Sequence, residues 1–92
     1  MRVECHFFGP LRDAVGTKTV ARELPAGATV ADLVRDLAAE FDAVEERVLD
    51  GDEVGEDVNV TVDGRNVRQR EGAATELSDG ATVRFAPPVV GG

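Results

Sequence analysis

The stretch Thr29-Val30-Ala31-Asp32-Leu33-Val34-Arg35-Asp36-Leu37-Ala38-Ala39-Glu40-Phe41 decides the fold. Its apolar residues follow the i, i+3, i+4 spacing of one helix face; they are Val30, Leu33, Val34, Leu37 and Phe41. Thr29 is a good N-cap, and Asp32 lies in the first turn, where the helix dipole favours a negative charge. The pattern predicts an amphipathic helix lying on a sheet, with Asp36 and Glu40 on its outer face.

Strand patterns precede this helix. Residues 2–7 alternate strictly, which places Val3, Cys5 and Phe7 on one face of a first strand. Residues 11–16 are expected to form one short helical turn. Residues 18–24 predict a second strand, and Arg22 on its apolar face indicates an edge position.

Further strands follow the helix. Val58, Val60 and Val62 alternate with polar residues in a third strand. Asp63-Gly64 is typical of a two-residue hairpin turn, because both positions need positive φ. We expect residues 65–68 to return as a short strand and residues 81–85 to form the last one. This order predicts one α+β domain, with the helix packed on one face of a mixed sheet.

The composition excludes several classes of function. The 92 residues carry a net charge of −8, from 18 carboxylates against nine arginines and one lysine. Such a chain repels nucleic acid and anionic membranes, and it has no apolar run long enough to span a bilayer. A single cysteine suits a reducing compartment, so we expect a cytoplasmic protein. Scarce lysine beside many carboxylates resembles the proteins of extremely halophilic archaea.

Residues 42–57, called the acidic segment below, begin to match a calcium-binding loop. Asp50, Asp52 and Gly55 occupy the first, third and sixth positions of that motif. The fifth position is Val54 and the twelfth is Thr61, where the motif needs a bidentate glutamate. We therefore predict no metal site and interpret the segment as a solvated surface loop.

The reactive side chains do not form a catalytic set. Cys5 alternates in phase with the core residues of its strand, which indicates a buried structural thiol, and His6 should point to the opposite face. Ser78 precedes an Asp-Gly turn, where a local hydrogen bond is its expected role. We therefore expect a protein that is not itself an enzyme.

The C-terminal residues carry the strongest functional signal. Ala86 before Pro87 is held extended, and Pro87-Pro88 makes a stiff exit from the domain. Val89 and Val90 continue as apolar residues, and Gly91 and Gly92 have no side chains. The seven residues 86–92 span about 20 Å when extended. A tail of this kind is suited to entering a narrow channel and presenting its carboxylate inside another protein.

Four stretches resemble the small subunits of molybdopterin synthase. They are Phe8-Gly9-Pro10-Leu11-Arg12-Asp13-Ala14-Val15-Gly16, Gly27-Ala28-Thr29-Val30-Ala31-Asp32-Leu33, Val60-Thr61-Val62-Asp63-Gly64-Arg65 and the ending from Asp79-Gly80 to Gly92. That family includes small sulfur carriers and the small archaeal modifier proteins. The resemblance implies a β-grasp, ubiquitin-like fold, with a domain at residues 1–86 and an extended tail at residues 87–92.

The resemblance also implies the chemistry of the tail. In this family an activating enzyme uses ATP to adenylate the C-terminal carboxylate, here that of Gly92. The activated carboxyl then becomes a thiocarboxylate or forms an isopeptide bond with a lysine. Gly91 would provide clearance in the channel of the partner, because a Cβ would collide there. The chain itself would bind no cofactor, since ATP is used by the activating enzyme.

Three functions remain open at this point. The first is a ubiquitin-like modifier of target lysines, which the haloarchaeal composition favours, and whose conjugates an isopeptidase would remove. The second is the sulfur-donating small subunit of molybdopterin synthase, acting with the large subunit. The third is a non-covalent binding module. Partner contacts are expected at a sheet face and at Phe8, Pro87, Pro88, Val89 and Val90, and Lys18 is a candidate isopeptide acceptor.

Overall fold

The structure is a computed structural model that describes residues 1–88. Its elements, in chain order, are β1 (Arg2–Phe7), α1 (Gly9–Val15), β2 (Thr19–Glu23), α2 (Val30–Ala38), α3 (Ala43–Val48), β3 (Leu49–Asp50), β4 (Glu53–Val54), β5 (Asn59–Val62), β6 (Arg65–Asn66) and β7 (Thr82–Ala86). Two short 3-10 turns, Val67–Gln69 and Gly72–Ala74, connect β6 to the last part of the chain. No helix within residues 1–88 is long and apolar enough to cross a membrane.

Five strands of this part of the chain form a mixed sheet in the order β2-β1-β7-β5-β6. The first and last strands, β1 and β7, are parallel neighbours at its centre, and the other pairings are antiparallel. The buried side chains of α2 join those of β1, β5 and β7 in one apolar core. The predicted α+β fold with β-grasp topology is confirmed.

The alternation in β1 gives the predicted faces. Val3, Cys5 and Phe7 are buried, while Arg2 and Glu4 are exposed on the other side. The ring of Phe7 stacks on that of Phe85 in β7, with centroids 5.5 Å apart and planes 17° from parallel. This pair joins the two central strands.

Helix α2 begins with the predicted cap. The Asp32 N–H donates to Thr29 Oγ1 at 3.3 Å, and the Thr29 N–H donates to Asp32 Oδ2 at 2.9 Å. These reciprocal bonds satisfy two amide groups that a helix start otherwise leaves unpaired. The helix ends at Ala38, so Phe41 lies beyond it and packs half-buried against the core.

Strand β2 lies at the edge of the sheet, as Arg22 indicated. Its guanidinium bridges from the edge to α2: Nε lies 3.2 Å from Asp36 Oδ2, and a terminal nitrogen contacts the carboxylate of Glu40. It also lies over the ring of Phe41, 5.9 Å from the centroid. Arg22 therefore covers the rim of the core at the edge of the sheet.

The prediction that the acidic segment is a surface loop is wrong. Its residues form α3 and the β3–β4 hairpin, and Val44, Val48, Leu49 and Val54 are buried in the core. The carboxylates are exposed, as predicted, because they lie on the outer side of these elements. The sequence shows Val44 and Val48 at helical spacing, but the surrounding charges obscured that pattern.

The hairpin after β5 has the predicted turn and a shorter return strand. Asp63 and Gly64 have φ values of 50° and 85°, the conformation that this turn requires. The expected strand 65–68 ends at Asn66, because its side chain accepts a bond from the Arg68 N–H at 2.9 Å and caps a 3-10 turn. The last strand is Thr82–Ala86, one residue later than expected.

Candidate functional site

The parallel pairing of β1 and β7 decides where the tail leaves the domain. Phe7 is in register with Phe85, and the Phe8 N–H donates to the Phe85 carbonyl at 2.9 Å. Strand β7 ends at Ala86, and Pro87 and Pro88 follow it on the surface. We call residues 7–9 with residues 85–87 the tail end of the sheet.

Buried aromatic rings hold the root of the tail. Phe85 and Phe7 are 0% and 1% exposed, so the strand is anchored in the core up to the residue before Ala86. The ring of Pro87 lies against Gly9, at the start of α1. The tail therefore starts from a rigid point, with its first proline in contact with the opposite chain segment.

An apolar groove lies beside this exit. Phe8, with 41% of its surface exposed, is the large apolar residue most open to solvent among residues 1–88. The groove has a volume of about 370 Å³, and its lining residues are Phe8, Pro10, Leu11, Ala43, Glu46, Arg47, Asp57, Val58, Ala86 and Pro87. Its apolar side can receive a partner side chain, and its charged side belongs to the acidic segment.

The structure brings together two of the predicted partner-binding residues, Phe8 and Pro87. Pro88 is exposed directly after them. The predictions for Val89, Val90, Gly91 and Gly92 lie outside the described residues. The sequence patterns did not reveal the other lining residues: Pro10 and Leu11 are close to Phe8 in sequence, whereas Ala43 comes to the groove on α3 and Val58 from the residue before β5.

The open face of the sheet is polar. Glu4 and His6 of β1 point to it, and His6 Nε2 lies 2.8 Å from Glu4 Oε1. Arg84 of β7 is in register with His6 and is exposed. The predicted sheet-face contact would therefore involve hydrogen bonds and ion pairs, in contrast to the apolar groove.

Lys18 lies at the same end of the sheet as the tail. Its carbonyl accepts a hydrogen bond from the Phe7 N–H at 2.8 Å, one residue before the Phe8 N–H that binds Phe85. The side chain is exposed. Lys18 therefore meets the steric requirement for an acceptor amine.

Cys5 is a buried structural thiol, as predicted. Burial raises its pKa from 9.0 to about 12; the charge of Arg22 acts in the opposite direction, and those of Asp36 and Glu4 also raise it. A thiol of this kind stays protonated at neutral pH and is a poor nucleophile. Within the described residues, no group of three or more His, Cys, Asp or Glu side chains could hold a metal ion.

A protein-family model matches the segments that form the tail end of the sheet. The model of the ThiS family matches residues 5–92, from the middle of β1 through the final glycine. The chain belongs to the ThiS family. The match includes both sides of the tail end and all of the residues after Pro88, so the family resemblance predicted from the sequence is confirmed.

The relatives of this chain have two kinds of name. Small archaeal modifier protein 3 of Haloferax volcanii is 41% identical over 92 residues, which is 100% of both chains. Sulfur carrier protein CysO of Mycobacterium tuberculosis is 34% identical over 80 residues, 84% of this chain and 83% of the relative. A solved structure from Pyrococcus furiosus that is named for subunit 1 of a molybdopterin converting factor is 34% identical, with a TM-score of 0.79 over 97% of this chain and 99% of that one. The chain is thus similar both to a protein modifier and to sulfur carriers.

Proposed function

We propose that this protein is a ubiquitin-like modifier, attached through the Gly92 carboxylate to lysines of target proteins. The observation that carries the proposal is the full-length similarity to small archaeal modifier protein 3. It is supported by a rigid tail root beside an apolar groove, on a chain whose family match extends to Gly92. A modifier needs these features because its folded domain must be recognised while its C-terminus reacts.

The chemistry begins with a carboxylate that is unreactive. The α-carboxyl of Gly92 is ionised at neutral pH and resists attack by an amine. In an activating enzyme the carboxylate would attack the α-phosphorus of ATP, which releases pyrophosphate and forms an acyl adenylate, in which AMP is a good leaving group. Attack by a lysine amine, directly or after transfer to an enzyme thiol, then forms the isopeptide bond and releases AMP or the thiol. An isopeptidase would reverse the modification by hydrolysis.

The folded domain would dock through the groove at the tail end. Phe8 and Pro87 offer apolar area to the activating enzyme, and exposed aromatic residues are frequent anchors of interfaces. Gly91 would leave room for the channel walls of that enzyme, because it has no Cβ. In this mechanism Gly92 is the reacting group of a substrate, and the catalytic residues belong to the enzyme.

A second function, sulfur transfer, is favoured by the other relatives. The similarity to CysO and to the molybdopterin converting factor subunit supports a Gly92 thiocarboxylate formed when a sulfur donor attacks the same adenylate. Such a carrier would deliver sulfur to a synthase subunit, for example the large subunit of molybdopterin synthase. One protein can perform both reactions, because they diverge only after adenylation.

The modifier function is tested by comparing the full-length protein with a variant that lacks Gly91 and Gly92. Both would carry an N-terminal tag, which is compatible with the fold because a peptide N–H can replace the Met1 amine that donates to the Leu24 carbonyl at 2.7 Å. A ladder of conjugates in cells with the full-length protein alone supports the proposal. Equal ladders, or none under several growth conditions, would contradict it.

The carrier function has a separate measurement. The purified protein is incubated with the activating enzyme, ATP and sulfide, and its intact mass is recorded. Replacement of one carboxylate oxygen by sulfur raises the mass by the difference between those two atoms. A protein that forms conjugates in cells and never shows this increase is a modifier only.

Lys18 offers a specific test of chain formation. It is the one lysine of the sequence, so every chain linked through a lysine side chain of this protein must use it. We expect the conservative variant Lys18→Arg to abolish such chains and to leave conjugates with other proteins intact. Persistence of side-chain-linked chains in this variant would refute the assignment.

A further inference from the structure

We propose that Gly9 is a positioning residue for the tail: the absence of a side chain at Gly9 lets Pro87 seat against it and sets the direction in which the chain leaves the sheet. The expected effect of Gly9 on activation of the C-terminal carboxylate by an enzyme rests on the proposed function. Its structural content, that Gly9 controls the exit direction, can be tested without any enzyme.

The first observation is the space at Gly9. A Cβ placed there would lie 3.0 Å from both Cγ and Cδ of Pro87, closer than carbon atoms normally approach. A change of ring pucker can shift Cγ, but Cδ is bonded to the backbone nitrogen and stays where the backbone places it. The contact could therefore be relieved only by a movement of the backbone, at Gly9 or at the root of the tail.

The second observation is the rigidity on both sides of this contact. The Phe8 N–H is bonded to the Phe85 carbonyl at 2.9 Å, and the adjacent rings of Phe7 and Phe85 are buried. The segment before Gly9 and the segment before Pro87 thus cannot separate without breaking the central strand pairing. Pro87, after the last strand residue, is the part that can yield.

The third observation separates this glycine from the others. Gly9 has a φ of 60°, and Gly16 at the end of the same helix has a φ of 82°, so an alanine at either position adopts a positive φ that L-residues disfavour. A Cβ at Gly16 would meet nothing within 4 Å. Gly16→Ala is therefore a control for the cost of an alanine at positive φ, and it lacks the contact with the tail.

Pro87→Ala supplies the complementary variant. It removes Cγ and Cδ, the two atoms that would meet the new side chain, and keeps the Cβ, which lies at an ordinary 3.8 Å. If the contact is the cause, the double variant Gly9→Ala/Pro87→Ala should behave like Pro87→Ala alone. Such non-additivity is expected for residues in contact or coupled through a shared backbone shift, and not for distant, independent sites.

The enzyme-independent experiment measures the direction of the tail by NMR. A nitroxide is attached to the exposed position of Ala14→Cys, and labelling is selective because the thiol of Cys5 is buried. We expect Gly9→Ala to change the paramagnetic broadening of the amides of residues 89–92, and Gly16→Ala to leave it unchanged. The double variant should give the pattern of Pro87→Ala. An unchanged pattern in Gly9→Ala, or an equal change in Gly16→Ala, would overturn the proposal.

The second experiment measures ATP–pyrophosphate exchange by the activating enzyme of the same organism. We expect Gly9→Ala to lower kcat/KM about tenfold. This corresponds to an increase of ~1.4 kcal/mol in the activation free energy, because the tail must be redirected to reach the active site. The decrease should appear mainly in kcat, because the groove residues that dock the domain are retained. A tail that changes direction with no effect on exchange would overturn the role in activation. If the wild type is not activated at all, the proposed function fails, and the NMR result still decides the role of Gly9.

Discussion

The tail end and the acidic segment lie on the same core and differ in what they expose. The tail end exposes Phe8 and Pro87 above the buried pair of Phe7 and Phe85. The acidic segment exposes eight carboxylates and one arginine above buried valines, and its net charge of −7 is nearly all of the −8 of the chain. The net negative charge is thus concentrated in one segment, and the exposed apolar residues Phe8 and Pro87 lie at the root of the tail.

The two regions also differ in how they are held. Hydrogen bonds between long strands and a stacked aromatic pair fix the tail end. The β3–β4 hairpin of the acidic segment has only two residues in each strand, and Arg68 supplements it. The Arg68 guanidinium donates to the Val54 carbonyl at 3.3 Å, to the Val58 carbonyl at 3.0 Å and also to the Gly55 carbonyl. We therefore expect the acidic segment to open locally before the tail end does.

The largest effect is expected from removing the aromatic pair. Phe85→Ala should lower the free energy of unfolding by about 3–5 kcal/mol, because it removes a fully buried ring. The matched change in the acidic segment, Val48→Ala, should cost about 2 kcal/mol, since two buried methyl groups are lost. Urea denaturation followed by circular dichroism measures both. A negligible cost for Val48→Ala would mean that α3 does not belong to the core.

An intermediate and local effect is expected at Arg68. Arg68→Ala should speed amide exchange at Gly55, whose N–H donates to the Val48 carbonyl at 2.8 Å, by about tenfold, for a loss of ~1.4 kcal/mol from its hydrogen bonds. Arg68→Lys should recover little of this, because an ammonium cannot reach several carbonyls as a planar guanidinium does.

In the Arg68→Ala variant, the reactivity of Cys5 measures whether the central strands of the sheet open. Because its pKa is raised to about 12, the buried thiol reacts with iodoacetamide at pH 8 only when the strands open. We expect Arg68→Ala to leave the alkylation rate of Cys5 unchanged while hairpin exchange accelerates. A parallel increase in both rates would mean that the two regions open as one unit.

The smallest effect concerns charge. Repulsion within the acidic segment is screened by salt, so the melting temperature should rise by a few degrees between dilute buffer and molar KCl. The double variant Glu53→Gln/Glu56→Gln should reduce this dependence more than Glu71→Gln/Glu76→Gln, which removes the same charge elsewhere. Thermal unfolding at several KCl concentrations is the measurement. Equal melting temperatures in both buffers would contradict the halophilic interpretation of the composition.

The sequence by itself determined the features that depend on neighbours in the chain. The alternation of β1, the reciprocal cap at Thr29 and Asp32 and the Asp63-Gly64 turn all need only a few adjacent residues, and each is confirmed. The motifs around Phe8 and the last strand were also sufficient to identify the family. For the candidate site, Phe8 and Pro87 followed from an exposed aromatic residue and a stiff proline exit.

The tertiary structure alone decided how distant residues meet. Ala43 lines the groove because α3 packs against α1, and Val58 lines it from the residue before β5. Arg68 binds carbonyls of residues 54–58, which lie ten to fourteen residues earlier in the chain. Gly9 looks in the sequence like an ordinary turn residue, and its contact with Pro87 exists because β1 and β7 are parallel neighbours. Such contacts depend on strand order and register, which local patterns do not encode, since the hydrophobic effect that drives them has no direction.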